Sequence, residues 1–355
     1  LGQQGGIEIP AKTDTATIRP TVHFTDRLEI DTRQESVIFL RADSPVAHSE
    51  GFSAMSQVNV AANGRATIAT LVIVGPGLLE PGLAGLSNAA RRLLEVEHGQ
   101  ELHLSYPRPV SSLAHMRSKI YGNALDHAQY LDIMRDIVAG RYMDVHLAAF
   151  VAACASDRLS LEEITHLTRA MVEAGEQLHW QGQRIVDKHS VGGLPGNRTT
   201  PIVVSIVAAH GLVMPKTSSR AITSPSGTAD TMETLTNVEL DLQTMRQVVE
   251  REGACLAWGG SVSLSPADDI LIRVERALDV DSEGQLIASV LSKKIAAGST
   301  DVVIDMPVGP TAKVRSAEAA RTLSEQLCHV GGRLGLNVEV VISDGRQPGG
   351  RGLGP

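Results

Sequence analysis

From Ile185 onward, short apolar runs alternate with stretches of helical periodicity, and this alternation constrains the fold of the 355-residue chain more than any other feature. Strand–helix–strand units of this kind close onto a parallel sheet, because each crossover helix packs back over the strands it joins. The candidate strands are residues 184–186, 213–215, 255–258, 302–306 and 338–343. Candidate helices at 200–210, 228–236, 242–252, 266–278, 284–297 and 317–334 fit between them. The pattern predicts an α/β unit with a mostly parallel sheet over 179–355. Ligands of open α/β sheets sit at the carboxyl ends of the strands, so the loops there carry the functional expectation.

The chain before this unit divides in two. Residues 107–178 turn helical: Tyr130, Met134, Ile137 and Val138 recur at i, i+4, i+7 and i+8, one apolar stripe. A second helix opens with Ser160 and has Glu163 three residues on, the signature of a capping box, with Leu161, Ile164, Leu167 and Met171 expected to face a core. The candidate helix 284–297 is expected to pack with this helical domain. Residues 1–106 read as β-rich, from alternation at 36–40, 66–74 and 101–104 and from the punctuating Gly75-Pro76-Gly77 and Pro81-Gly82. The stiff Tyr106-Pro107-Arg108-Pro109 connector separates the two. The final glycine-rich residues 349–355 make a poor domain end, which predicts a missing C-terminal region.

Composition narrows the class. Acidic residues outnumber basic ones by 40 to 32, against the basic balance of a nucleic-acid binder. Aromatic residues make up 3%, too few for a base-stacking platform. The longest apolar stretch, 201–209, is well short of the ~20 residues a bilayer span needs, so no membrane association is expected. The N-terminus has no apolar leader core, and Cys154, Cys255 and Cys328 are odd in number and far apart. Together these predict a cytoplasmic protein with buried, reduced thiols.

Three stretches carry chemistry. In VDKHSVGGLPGNRTT (186–200) a strand is expected to end at Asp187. Lys188, His189 and Ser190 follow, then a glycine turn and a helix opening at Thr199 and Thr200. Glycines allow close backbone approach, and helix N-terminal amides attract anions. Lys188 supplies a charge, and Ser190 and Thr199 supply hydroxyl donors. In PKTSSRAITSPSGTADTME (215–233) a second strand empties into a hydroxyl-rich loop, with Ser218, Ser219, Ser224, Ser226 and Thr228 as donors and Arg220 able to make a bidentate phosphate contact. Two anion-competent loops on one sheet edge are more specific than one. The third stretch, 273–294, holds Arg273, Asp279, Asp281, Ser289, Lys293 and Lys294, with Lys313 beyond it. Ser289 and Lys293 are i, i+4 on one helical face.

VDKHSVGG, KTSSRAITSPSGTADTME and LIASVLSKK resemble the nucleoside phosphorylase family that contains thymidine phosphorylase and archaeal AMP phosphorylase, over residues 110–355. The resemblance implies phosphate contacts from Lys188, Ser190, Thr199 and Thr228, and base or ribose contacts from Arg273, Ser289 and Lys293. The AMP phosphorylase pattern instead places a nucleotide against Gly193, the run Ser219, Arg220, Ala221, Ile222, Thr223 and Ser224, then Thr228, Ser289 and Lys313, with Asp281 as proton donor. The wording SSRAITS…GTADTME and the β-rich first domain are similar to AMP phosphorylases, whereas Lys188 fits the thymidine type. The implied reaction is phosphorolysis. Inorganic phosphate attacks C1′ of a nucleoside or nucleoside 5′-monophosphate, and His189 or Asp281 neutralises the leaving base with electrostatic help from Arg273 or Lys293. Phosphate is a substrate, so no cofactor and no metal is expected, and neither HExxH nor paired CxxC occurs. The family also implies a homodimer. The alternatives are thymidine as substrate, an anthranilate phosphoribosyltransferase-like reaction, and an inactive nucleotide-binding protein.

Overall fold

The computed structural model describes residues 21–26, 28, 30–32, 35–49, 51–182, 184–192, 194, 199–220, 227–280 and 282–347. The chain forms two compact units, one up to Pro109 and one from Val110.

The first unit is a closed six-stranded barrel. Strands β1 (Val22–Thr25), β2 (Val37–Arg41), β3 (Gln57–Ala62), β4 (Arg65–Val74), β5 (Leu83–Leu86) and β6 (Glu101–Ser105) pair in the order β1-β5-β2-β4-β3-β6, and β6 closes back on β1. Every other residue of β3 is buried, and the barrel core gathers Phe24, Ile38, Leu40, Val60, Leu71 and Leu102. Closure removes free sheet edges, which is how a small β-rich unit avoids edge pairing. The β3–β4 hairpin turns on Asn63 and Gly64, both at positive φ (54° and 75°), as the tight hairpin geometry requires. Two short helices, α1 (Pro45–Ser49) and α2 (Asn88–Leu94), complete the unit. Ser87 caps α2 by accepting from the Ala90 N–H.

The second unit begins with α3 (Leu113–Ile120), α4 (His127–Val138), α5 (Asp144–Ala153) and α6 (Leu161–Glu173). The capping box at Ser160 and Glu163 is present, and Tyr130, Met134, Ile137, Ile164, Leu167 and Met171 are all buried, while Leu161 and Val138 stay partly exposed. Lys119 Nζ lies 2.6 Å from Glu163 Oε1 and donates to the Arg158 carbonyl at 2.7 Å. The same carboxylate oxygen accepts from the Leu125 N–H and the Tyr130 hydroxyl, both at 3.1 Å.

The rest is α/β: β7 (Val186–Ser190), α7 (Thr199–Ala209), β8 (Met214–Ser218), α8 (Thr228–Glu233), α9 (Leu242–Glu252), β9 (Ala254–Trp258), α10 (Pro266–Leu278), α11 (Glu283–Ala296), β10 (Asp301–Val308), α12 (Ala317–Arg333) and β11 (Asn337–Asp344). All strand pairs are parallel. A three-stranded sheet runs β11-β10-β7, and the Ile185–Val213 bridge joins it to the pair β8-β9. From β7 the chain proceeds outward to β8 and β9, then crosses to β10 and β11 on the other side. The switch in direction therefore falls between β7 and β10, the position at which open α/β sheets bind their ligands. Helices α10 and α11 share one hydrophobic core with α4, α5 and α6. Beyond β10 and β11, Gly309 and Gly345 lie backbone to backbone, where a Cβ on Gly309 would come within 2.2 Å of the Gly345 carbonyl oxygen.

Two expectations need correction. Strand β7 does not end at Asp187: Lys188, His189 and Ser190 remain in ladder register with Val303, Ile304 and Asp305 of β10, because the β10 backbone continues alongside them. Cys154 and Cys255 are buried, but Cys328 is exposed on α12, where its thiol donates to the Val338 carbonyl. Among the described residues, no helix is long and apolar enough to cross a membrane.

Candidate active site at the carboxyl edge of the sheet

Because β7 runs on to Ser190, its side chains alternate between the two faces of the sheet. Lys188 and Ser190 share one face with Asp305 of β10: Ser190 Oγ donates to Asp305 Oδ2 at 3.0 Å, and Lys188 Nζ stands 4.0 Å from the same oxygen. Ser343 of β11 donates to Asp305 Oδ1 at 2.9 Å, so the carboxylate is fixed from both neighbouring strands. Burial pulls the Lys188 ammonium below its ordinary value, with Asp305 opposing the shift.

Asp187 and His189 occupy the other face. The Asp187 side chain is fully buried, with Lys294 Nζ of α11 2.7 Å from Oδ2 and Lys216 Nζ of β8 3.7 Å from Oδ1. Lys216 also donates to the Thr217 carbonyl. Two lysine side chains thus meet one carboxylate in a site nearly closed to water. Burial brings Lys216 down to about 7, with Asp187 working against the shift and Lys294 adding to it. His189 is held well below its ordinary value by burial and by the charges of Lys294, Lys216, Lys188 and Lys293, so it presents a neutral imidazole at neutral pH. Lys293 turns toward α10, with Nζ 2.6 Å from Asp268 Oδ2 and 3.4 Å from Asp269 Oδ1. Burial works against its charge, yet the two carboxylates hold the ammonium above the usual lysine range.

The structure therefore brings Lys188, His189, Ser190 and Lys293 into one electrostatic neighbourhood. Thr199 starts α7 and Thr228 starts α8, so both stand at helix N-termini facing the carboxyl edge. Ser219 follows β8 directly, and its carbonyl accepts from the Ala229 N–H. The Lys313 N–H reaches the Gly192 carbonyl at 3.4 Å, which ties the loop after β10 to the loop after β7. Ser289 is half-buried on α11, one turn before Lys293, and Arg273 is exposed on α10. Arg220 is engaged within the protein. It makes a bidentate contact with Glu233, bonds Glu239 at 2.9 Å and stacks 4.6 Å from the Trp258 ring centroid. In that setting its guanidinium anchors the strand exit. Asp281, Gly193, Ala221, Ile222, Thr223 and Ser224 lie outside the described residues.

Sequence reasoning passed over Asp187, Lys216, Asp268 and Asp305. The signal for Lys216 was present: a lysine inside a short strand between apolar and hydroxyl residues must be buried, and a buried lysine needs a carboxylate. Asp187 is that partner.

The comparisons with known proteins agree with this architecture. Residues 114–175 match a family described as "Glycosyl transferase family, helical bundle domain", and residues 182–348 match "Glycosyl transferase family, a/b domain". A relative from Polaromonas sp. (strain JS666), named "Putative thymidine phosphorylase", is 60% identical over 93% of this chain and 64% of its own length. One of the same name from Hahella chejuensis is 57% identical over 94% of this chain and 66% of its own length. Another, from Legionella pneumophila (strain Philadelphia 1), is 53% identical over the whole chain and 68% of its own length. The chain thus spans 64% of the Polaromonas relative. Among solved structures, anthranilate phosphoribosyltransferase from Thermus thermophilus superposes with a TM-score of 0.52 at 24% identity, over 66% of this chain and 67% of that one, a likeness of fold. With both domain types in order along the second unit and relatives of this similarity, the chain belongs to the glycosyl transferase family of helical-bundle and a/b domains.

Proposed function

We propose that the chain carries the active site of a pentosyl-transferring phosphorylase. Inorganic phosphate attacks C1′ of a nucleoside or nucleoside 5′-monophosphate, releasing the free base and a pentose 1-phosphate. The observation that carries this reading is the cation-rich carboxyl edge of the sheet, where Lys188 and Ser190 end β7 and Lys216 and Lys294 crowd a single aspartate behind them. Names of the relatives support the same reading.

In this reading Lys188, Ser190, Thr199 and Thr228 hold the phosphate, the helix N-termini of α7 and α8 adding their amide dipoles. Ser289, Lys293 and Arg273 face the sugar and base, and Lys313 and the 219–224 loop meet a 5′-phosphate if the substrate is a nucleotide. As the glycosidic bond lengthens, negative charge grows on the base. Neutral His189 can donate a hydrogen bond to it but offers no imidazolium, so Asp281 or the Lys293 ammonium supplies the remaining neutralisation. A homodimer in the cytoplasm fits the family. A thymidine substrate is the reading that the relatives' names favour; a nucleoside 5′-monophosphate is the one that the SSRAITS…GTADTME wording favours.

The test is a panel of nucleosides and nucleoside 5′-monophosphates incubated with phosphate, with free base followed by chromatography. Phosphate-dependent base release supports the proposal, and the substrate set that reacts assigns the type. Release without phosphate, or none from either set, overturns it.

A further inference from the structure

Around Asp187 the cations outnumber the anions. Lys294 Nζ makes the short contact at 2.7 Å, while Lys216 Nζ is left at 3.7 Å from the other carboxylate oxygen, its hydrogen bond going to the neutral Thr217 carbonyl. All three side chains are 6% exposed or less. A second buried ammonium that shares a carboxylate with a closer competitor must either give up its proton or gain an anion.

The groups facing Lys216 from each neighbouring element sharpen this. Strand β7 contributes Asp187, Lys188 and the neutral His189. Helix α11 contributes Lys294, and its Lys293 is turned to Asp268 and Asp269 of α10, which takes those carboxylates away from Lys216. Strand β9 contributes Cys255, whose thiol burial pushes up to about 12 and so keeps it neutral. Helix α7 carries no charged residue, and α9 turns Met245 and Val249 inward. Among the described residues of these elements, Asp187 is the one carboxylate beside Lys216, and the cluster lies directly behind the carboxyl edge where Lys188 and Ser190 end β7.

We propose that Lys216 takes up a proton when a tetrahedral oxyanion enters at the carboxyl ends of β7 and β8, so that anion binding and the charging of this one side chain are a single coupled event. The inference rests on the phosphate site argued above and deepens it: Lys216 is a positioning residue. Above neutral pH it holds Asp187 and Lys294 in place uncharged and adds an ammonium to the site when the anion arrives. A dianion is favoured over a neutral group by the same coupling.

Sulfate is the probe, because it stays dianionic between pH 6 and 9, so that any proton taken up belongs to the protein. Its affinity for the full chain, measured by titration calorimetry from pH 6 to 9, is expected to fall with rising pH and to approach about tenfold per pH unit above pH 8. Repeating the titration in two buffers of different ionisation heat should give close to one proton taken up per sulfate near pH 8. Lys216→Met should bind more weakly at pH 6 with a flattened profile, and Lys188→Ala should lose the binding, locating the anion. A pH-independent affinity in the unaltered chain, an undiminished slope in Lys216→Met, or no sulfate binding overturns the inference. The buffer experiment needs no variant, so a misfolded Lys216→Met would not shelter the idea. Base release assayed with phosphate separates this outcome from failure of the phosphorolysis reading: turnover with no proton uptake sinks the coupling alone.

Discussion

Two of the buried charge clusters among the described residues of the second unit are built to different ratios. In the helical bundle, Lys119 and Glu163 form a one-to-one pair at 2.6 Å. Both groups carry further bonds: the lysine also reaches the Arg158 carbonyl, and the glutamate accepts from Leu125, Tyr130 and Ser160. At the sheet edge, two lysines share Asp187, and among the described residues no further carboxylate pairs with the second. A matched, multiply bonded pair specifies how helices dock. An unmatched one stores a preference for whatever arrives with the missing charge. Burial is the same in both places, so the ratio and the surplus bonds separate a structural cluster from a site.

The same lysine-to-methionine change can be made in both clusters, and the larger effect is expected in the bundle. Lys119→Met strands Glu163 in the bundle core without its cation, and should destabilise the chain by about 3–5 kcal/mol in a urea titration. A loss below about 1 kcal/mol would mean the bundle pair is not the structural anchor the geometry describes.

Next in size is an effect on turnover without one on folding. Lys188 sits at the mouth of the edge, beside Asp305 and Ser190. Lys188→Ala should lower phosphate-dependent kcat/KM at least about 100-fold, the magnitude expected when a charged group aimed at a reacting anion is removed. The melting temperature should change little. Activity retained in that variant would remove the phosphate role assigned to β7.

The bundle pair also predicts the direction of an acid response. Burial works against the Glu163 carboxylate, yet hydrogen bonds from Lys119, Leu125 and Ser160 hold it below the usual carboxylate range. A folded-state value below the unfolded one adds stability above the unfolded value, about 4.3, which is lost as pH falls through the folded one. Comparing acid unfolding of the unaltered chain with Glu163→Gln should show a shallower loss in the variant between about pH 4.3 and its acid end point. Parallel acid limbs would show that Glu163 is not held below its ordinary value.

How much of this was legible beforehand differs between the same two regions. The bundle announced itself: Ser160 with Glu163 three residues on is a local code, and the structure realises it. The α9 and α10 boundaries, 242–252 and 266–278, were likewise readable because Asp241 caps one and Pro266 opens the other. The end of β7 was not, since the ladder that keeps Lys188 to Ser190 extended is supplied by β10, more than a hundred residues away. In the barrel, β1 and β5 are four residues each and pair in parallel across 60 positions, which no local alternation reveals. Asn63-Gly64, by contrast, is a local hairpin signal carried by turn chemistry rather than by alternation. For the site, the motif residues Lys188, His189 and Ser190 could be named from their order. Their division between two faces, and the four lysines around His189, follow from packing alone.

The effect expected to be smallest at pH 7 is the most discriminating. Lys216→Met deletes the surplus cation and leaves Asp187 with Lys294, a matched pair like the one in the bundle. At pH 7 the change should move stability by less than about 1 kcal/mol in either direction, since a longer-range attraction to Asp187 is exchanged for relief from Lys294 and for an apolar side chain in a buried place. The pH dependence carries the sign. A lysine at about 7 in the folded chain and near 10.4 unfolded binds fewer protons folded than unfolded between those values, so its contribution to stability rises with pH across that window. The unaltered chain should therefore gain stability relative to Lys216→Met from pH 7 toward pH 10, with a slope of at most about 1.4 kcal/mol per pH unit. Chemical denaturation of both proteins at pH 7, 8 and 9 measures that difference. Equal slopes would place Lys216 in the same class as Lys119, a charged lysine fully matched where it lies, and the contrast between the two clusters would collapse into one kind of structural pair.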